Sequence, residues 1–379
     1  MSIIFNTFAW YFPLLGIFAY MLIQQKKVYA NEHTLVGQEF DYDISYDYRV
    51  SAGFAILVFL PLILAAGLRE GIADTGLYII MYRDYPTSLS ELPAFLARGD
   101  RGPGFIAFSV LIRQLFGTDF HIWLFIIATI QGLCMAMAYR RYTSEIVFCA
   151  FIFFATGGFM AWMTNGIRQF LAAAILFAFF PLLQKRKFVF FLVYTGIWLL
   201  MITVHSSVVI VLPLYLVALG KPFNKLTILF LSLTVLAVIF MSQFTSLLGT
   251  ALENTDYAGV ADAMPTAQGQ NPLRFLFSSM SAIVIILFRK RIPENVPPII
   301  AVSINMSLIT LCFDFFAMFT SGMLLGRLPL YFALFNYVLM PWEIKTFFPK
   351  GNRTVIYAIL IILYLVFFLY QMYVWGWLR

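Results

Sequence analysis

The chain has 379 residues, of which 62% are hydrophobic and 18% aromatic but only 11% charged, and its mean hydropathy is +0.87. A soluble domain carries about 25% charged residues, so the composition excludes a water-soluble globular protein. It points instead to an all-α, polytopic helical membrane protein. The net charge of +7 gains meaning only when divided between two membrane faces, and no nucleic-acid partner is expected.

In chain order, the apolar runs predict about twelve transmembrane helices, at 3–23, 51–68, 119–139, 146–163, 165–183, 188–204, 206–219, 226–248, 275–288, 299–321, 328–342 and 354–375. The first starts at Ile3 without a basic leader, so it reads as a span rather than a cleaved signal. Between the spans lie KK (26–27), YRRY (139–142), QKRK (184–187), KPFNK (221–225), RKR (289–291) and EIKTFFPKGNR (343–353). These clusters occupy every second connection. The positive-inside rule therefore assigns them to the cytoplasm and both termini to the outside.

Residues 103–116, PGFIAFSVLIRQLF, are too few to span comfortably and read as an interfacial or re-entrant helix on the outer face. The stretch 28–50, with EFDYDISYDYR, reads as a cytoplasmic interfacial segment, and GMLLG (322–326) fits small-residue helix packing. Residues 1–379 are thus read as a single integral-membrane domain with long external loops at 69–118 and 249–274. The first mixes acids, arginines and aromatics; the second is rich in Gly, Asn, Gln and Asp. Such loops commonly bind ligands. Cys134, Cys149 and Cys312 all lie within spans, so neither a disulfide framework nor a thiolate metal site is expected.

Under this topology all nine lysines face the cytoplasm, and every external basic residue is an arginine: 69, 83, 98, 101, 113, 168, 274, 327 and 379. Arginine presents a planar fork matched to phosphate and carboxylate oxygens, which lysine lacks. Arg69 and Asp74 follow the second span in LREGIADTGLY (68–78). Asn165, Arg168 and Gln169 sit at i, i+3, i+4 in TNGIRQF, on one face at the N-terminal end of a span, where the helix dipole already favours an anion. His205 lies at the next external turn in TVHSSVV, and Arg274 and Arg327 open two later spans. Asp314 lies inside the tenth. Structural readings stand beside these: arginines snorkelling to headgroups, the 165–169 stripe gluing helices together, and Asp314 pairing with an arginine, Arg168 included.

Convergence of arginines, a histidine and acids at one leaflet suits a site open to that leaflet rather than a transport path, which distributes polar groups through the bilayer. Several guanidinium forks fit a polyanion, and a lipid-borne diphosphate is the natural one there. No HExxH, Walker A, DxD or Cys/His zinc spacing occurs on the external side, so no metal and no cofactor is expected. The implied chemistry is group transfer from a lipid diphosphate to a hydroxyl, with His205 or Asp74 deprotonating the acceptor.

The succession REGIADTGLY (69–78), NGIRQ (165–169) and HSS (205–207) resembles the EpsG-type branch of the Wzy-like polysaccharide polymerases, over roughly residues 50–345. The resemblance implies a GT-C-like glycosyltransferase fold in the bacterial inner membrane with a site facing the periplasm or exterior. It also implies the joining of oligosaccharide repeats carried on undecaprenyl diphosphate into O-antigen, capsule or exopolysaccharide. By residue, Arg69 and Asp74 match the first motif, Asn165, Arg168 and Gln169 the second, and His205 the third; Arg274 and Arg327 are added from topology. The diphosphate would meet Arg69, Arg168, Arg274, Arg327, Asn165 and Gln169, and His205, Asp74 and Arg168 would carry the chemistry. Partners would be the lipid-linked oligosaccharide, the bilayer, a chain-length regulator and a flippase. Aromatics of 69–103 and polar residues of 249–274 would hold sugars. Alternatives are a ligase of the same architecture, a lipid-linked oligosaccharide flippase or other transporter, and a membrane acyltransferase using His205.

Overall fold

The computed structural model describes residues 50–99, 101–252, 269–320 and 325–376. The expected first span, the segment 28–50 apart from Val50, most of loop 249–274 and most of GMLLG lie outside these residues. Every regular element among the described residues is helical. They form two compact units, Met1–Val208 with Ile362–Arg379, and Val209–Ile361.

In the first unit, α1 (Ala52–Gly67) and α5 (Phe120–Tyr142) pack lengthwise. Gly67 and Gly132 make this possible, since a Cβ on the first would press into Phe125 and on the second into Ile63. Phe59 stacks on Tyr139, with centroids 6.0 Å apart, and Tyr139 meets Phe177 of α7 (Ile167–Phe179) edge-on. Between α1 and α5, the chain that reads as an external loop is itself helical: α2 (Thr75–Asp84), a 3-10 turn (Leu89–Glu91), α3 (Leu92–Leu96) and α4 (Pro103–Phe116). The last coincides with the expected short helix.

The segment 146–163 is not one helix. α6 (Ile146–Ala155) stops at Gly157, which takes φ +85°, and a π-helix (Gly158–Met163) follows. A side chain at Gly157 would meet Gln371 and Trp375 from α18 (Lys350–Val374) and its C-terminal end. α8 (Pro181–Gln184) prolongs α7, and α9 (Phe188–Val204) fits its expected bounds.

The second unit holds α10 (Val211–Ala218), α11 (Lys225–Ile239), α12 (Met241–Leu252), α13 (Pro272–Ser278), α14 (Met280–Leu287), α15 (Pro298–Met318), α16 (Leu330–Ala333) and α17 (Asn336–Phe347). The expected span 226–248 is bent at its middle: α11 and α12 pass as one apolar span only together and meet at 106°. The sequence changes character there, from apolar all round to Gln243, Ser246 and Thr250 interleaved with Phe244 and Leu247, a one-sided pattern suited to lying along an interface. α15 is the best-buried of the long apolar helices, with phenylalanines such as Phe313 stacked 5.5 Å from Phe332. Among the described residues four helices, namely α5, α7 with α8, α15 and α18, are long and apolar enough to cross a membrane, or five if the bent pair counts as one.

Candidate functional site

Asp74 holds the N-cap position of α2, where an aspartate ordinarily accepts from the first free backbone N–H groups. Here its side chain makes no such bond. The Asn165 side-chain amide faces it instead, and with its nitrogen assigned to the carboxylate side it donates to both oxygens, the farther at 3.2 Å. Two residues far apart in the chain, each singled out in a different motif, are therefore in direct contact. Ala73, immediately before, adopts φ +50°, a conformation that costs a residue with a Cβ about 1–2 kcal/mol.

Arg69 builds the turn that presents Asp74. It is 4% exposed, donates from Nε to Thr75 Oγ1 at 2.8 Å and from a terminal nitrogen to the Ala66 carbonyl. The Thr75 hydroxyl in turn donates a hydrogen bond to the Ile72 carbonyl. Arg69, expected among the diphosphate ligands, lies inside the 66–75 turn with Nε on Thr75 and one terminal nitrogen on the Ala66 carbonyl.

After the π-helix, Asn165 and Gly166 lead into α7, so Arg168 stands in its first turn. Arg168 is half-buried and donates to the Arg101 carbonyl at 2.9 Å, with its guanidinium 5.9 Å from the Phe105 ring centre. Gln169 is buried at 5% exposure. The partner considered for Arg168 from sequence, Asp314, has its bonds elsewhere.

Gly102, the N-cap of α4, takes φ +82° and has no side-chain cap. A Cβ there would lie 3.1 Å from the Arg168 guanidinium and 3.0 Å from the Val204 carbonyl. Gly104 leaves equally little room against Thr203. The RGPG turn (101–104) thus sits between Arg168 and the C-terminal end of α9, whose C-cap is His205. The His205 ring faces Ser207, with Nδ1 and Oγ 2.8 Å apart. The N-termini of α4 and α7, neither with a side-chain cap, both lie beside Arg168. Two sets of backbone N–H groups and a guanidinium form an electropositive corner, bordered by a carboxylate and an imidazole that are both held by neighbours.

Arg274 and Arg327 belong to the second unit. Arg274 lies within electrostatic reach of Asp314, Arg327 and Tyr337. Asp314, 2% exposed, accepts from Ser278 at 2.6 Å and Gln270 at 3.0 Å. No group of three or more His, Cys, Asp or Glu side chains converges among the described residues.

The loop aromatics, expected to stack on sugars, are interior. Tyr78, Tyr82, Tyr85 and Phe95 are each at most 9% exposed. Tyr82 stacks on Trp123 with centroids 4.5 Å apart, Tyr85 bridges Tyr82 and Phe95 edge-on, and Arg113 covers Tyr82. They give the 75–96 segment its own small core. What sequence reasoning overlooks is the RGPG turn, although two glycines around a proline at a helix start signal a tight approach. It also places Glu343 in a cytoplasmic connection, whereas the residue is buried within α17 at 3% exposure.

A family model described as the EpsG family matches residues 53–376. No curated protein and no solved structure matches the chain.

Proposed function

The chain belongs to the EpsG family, and from that premise we propose that it is a membrane polysaccharide polymerase. It joins undecaprenyl-diphosphate-linked oligosaccharide repeats by glycosyl transfer on the outer face of the bacterial cytoplasmic membrane. The observation that carries this reading is the Asp74–Asn165 contact beside Arg168, because it unites two of the family-like motifs into one corner equipped for an anion and a proton.

In the proposed reaction the acceptor sugar's hydroxyl oxygen attacks the anomeric carbon of the donor chain. The bond from that carbon to the diphosphate oxygen breaks, and the diphosphate leaves with the electron pair. Arg168, aided by the uncapped N-termini of α4 and α7, meets the charge that grows on the departing oxygens. The hydroxyl proton passes to Asp74 or to His205. Asn165 orients the former and Ser207 the latter, and Arg69 acts as a positioning residue for the Asp74 turn. The reaction handles two lipid diphosphates, and in the second unit Arg274 and Arg327 are assigned to a phosphate group. The sugars would meet polar residues of 249–274. No step needs a metal, so chelation leaves the rate unchanged in this scheme.

Purified protein supplied only with lipid-linked repeat units tests the reading. A ladder of products spaced by one repeat supports polymerisation. No ladder, with transfer only to a different acceptor, identifies a ligase; movement of the lipid across the bilayer without bond formation identifies a flippase.

A further inference from the structure

Three basic connections of the second unit converge on one small aromatic cluster. They are KPFNK (221–225), RKR (289–291) and EIKTFFPKGNR (343–353), with two, three and three basic residues. Arg289 lies over the Phe223 ring at 4.9 Å and joins the first connection to the second. Phe288 stacks on Phe347 at 5.1 Å and approaches Phe348 at 5.9 Å, joining the second to the third. Arg291 lies over Phe288 at 5.2 Å. Within the third connection, Arg353 donates to the Phe348 carbonyl at 3.1 Å and to the Lys345 carbonyl.

The 221–225 turn is braced more firmly than topology requires, because the positive-inside rule acts on charge and is met by flexible loops. Asn305, fully buried on α15, accepts from the Phe223 backbone N–H at 2.9 Å. Its amide nitrogen donates to the carbonyls of Ala218 and Lys221, 2.9 Å each. The Asn224 amide adds a bond to the Val217 carbonyl at 2.8 Å. Phe223 is held at φ +54°, a conformation a bulky residue rarely takes. A buried asparagine is costly in an apolar helix unless it is bonded, and every bond this one makes shapes the turn.

Little in the chain answers this charge. Of the two acids near these connections in sequence, Glu343 is buried inside α17, and Glu294 makes no ion pair among the described residues. Arg289 and Arg291 are exposed and make no hydrogen bond among the described residues. Each guanidinium stands over a ring, which holds its place and leaves its N–H groups for a phosphate. Cations over aromatic rings at helix ends are the makeup of a membrane–water interface, where the anions on offer are phospholipid headgroups. Two guanidiniums anchored on different rings match two phosphates.

We propose that this end of the second unit binds an anionic phospholipid carrying two phosphates, of the cardiolipin type, with Arg289 and Arg291 on the phosphates. The site stands independently of the transfer reaction. To test it, full-length protein in neutral detergent is titrated with cardiolipin, with phosphatidylglycerol at equal phosphate, and with inorganic phosphate, and the unfolding midpoint is followed. Cardiolipin raises the midpoint saturably, with a half-effective phosphate concentration at least about tenfold below that of phosphatidylglycerol. A basic side chain at an anionic surface is worth roughly fivefold in binding. Arg289→Gln with Arg291→Gln therefore raises the half-effective cardiolipin concentration by about 25-fold. Lys185→Gln with Lys187→Gln, the same loss of charge in the first unit, leaves it unchanged. Equal responses to the two lipids overturn the two-phosphate site, and a matching response to inorganic phosphate overturns the lipid. Equal effects of the two double variants reduce the face to diffuse charge and overturn the site too. No lipid response at all refutes it and leaves the face to an acidic protein. Should the glutamine pair fail to fold, Arg289→Lys with Arg291→Lys keeps the charge and loses the forks; an unaltered half-effective concentration there refutes the assignment.

Discussion

Replacing Gly102 by alanine separates the positioning of Arg168 from the folding of the loop that positions it. The backbone cost is set by φ +82°, about 1–2 kcal/mol for a residue with a Cβ. Gly99 has nearly the same φ, +81°, with nothing within 4 Å of the place its methyl would take, so Gly99→Ala carries the same strain and no contact. The Gly102 methyl, by contrast, lies 3.1 Å from the Arg168 nitrogen that donates to the Arg101 carbonyl, and 3.0 Å from the Val204 carbonyl. The flexible guanidinium gives way before the backbone does, and that bond is lost or redirected. A misplaced contact of about 1–2 kcal/mol corresponds to a ~5–30-fold loss of rate. Both variants are therefore expected to lose similar thermal stability, while only Gly102→Ala loses polymer formation on lipid-linked repeats by that further factor. Equal activity in the two variants refutes the idea that the RGPG turn sets the place of Arg168.

Arg168→Lys keeps the charge and loses the fork, and a fall of about 10²-fold in ladder formation with normal membrane insertion is expected; near wild-type polymer removes Arg168 from the site. Asp74→Asn and His205→Gln, compared by initial rate, identify the base: the one that takes the proton is expected to lose about 10²–10⁴-fold and the other far less. Tyr82→Phe deletes only the 3.2 Å bond to the Gly117 carbonyl and is expected to cost about 1 kcal/mol of stability with activity retained, whereas Tyr82→Ala opens the stack on Trp123 and costs about 3–5 kcal/mol in unfolding measurements. Loss of activity without loss of stability in Tyr82→Phe would return the loop aromatics to a sugar-binding role.

Helices such as 188–204 are legible because an all-round apolar run has one solution in a bilayer, and its ends are marked by charge. The polar residues Asp74, Asn165, Arg168 and His205 stand out for the converse reason, being costly where they occur. Other features depend on three-dimensional context. Phe240 and Ser279, where apolar runs break, carry no proline or glycine to announce it. The four aromatics of 75–96 pack inward in a segment whose acids and arginines resemble a surface loop, because composition does not say which neighbour a ring will meet. Arg69 likewise reads as an exposed cation, and only the fold reveals that Thr75 and the Ala66 carbonyl take up its donors.

The π-helix at Gly158–Met163 makes the spacing of the chain before Asn165 inflexible. Each residue added to or removed from a helix turns everything after it by about 100°, and a π turn holds one residue more than an α turn. Trimming that extra residue would regularise the helix and swing Asn165 away from Asp74 and Arg168 away from the Arg101 carbonyl. Substitutions within 158–163 can be absorbed where volume permits; a change of length cannot. This six-residue stretch acts as a fixed-length spacer between the buried wall of the first unit and the corner where the motifs meet.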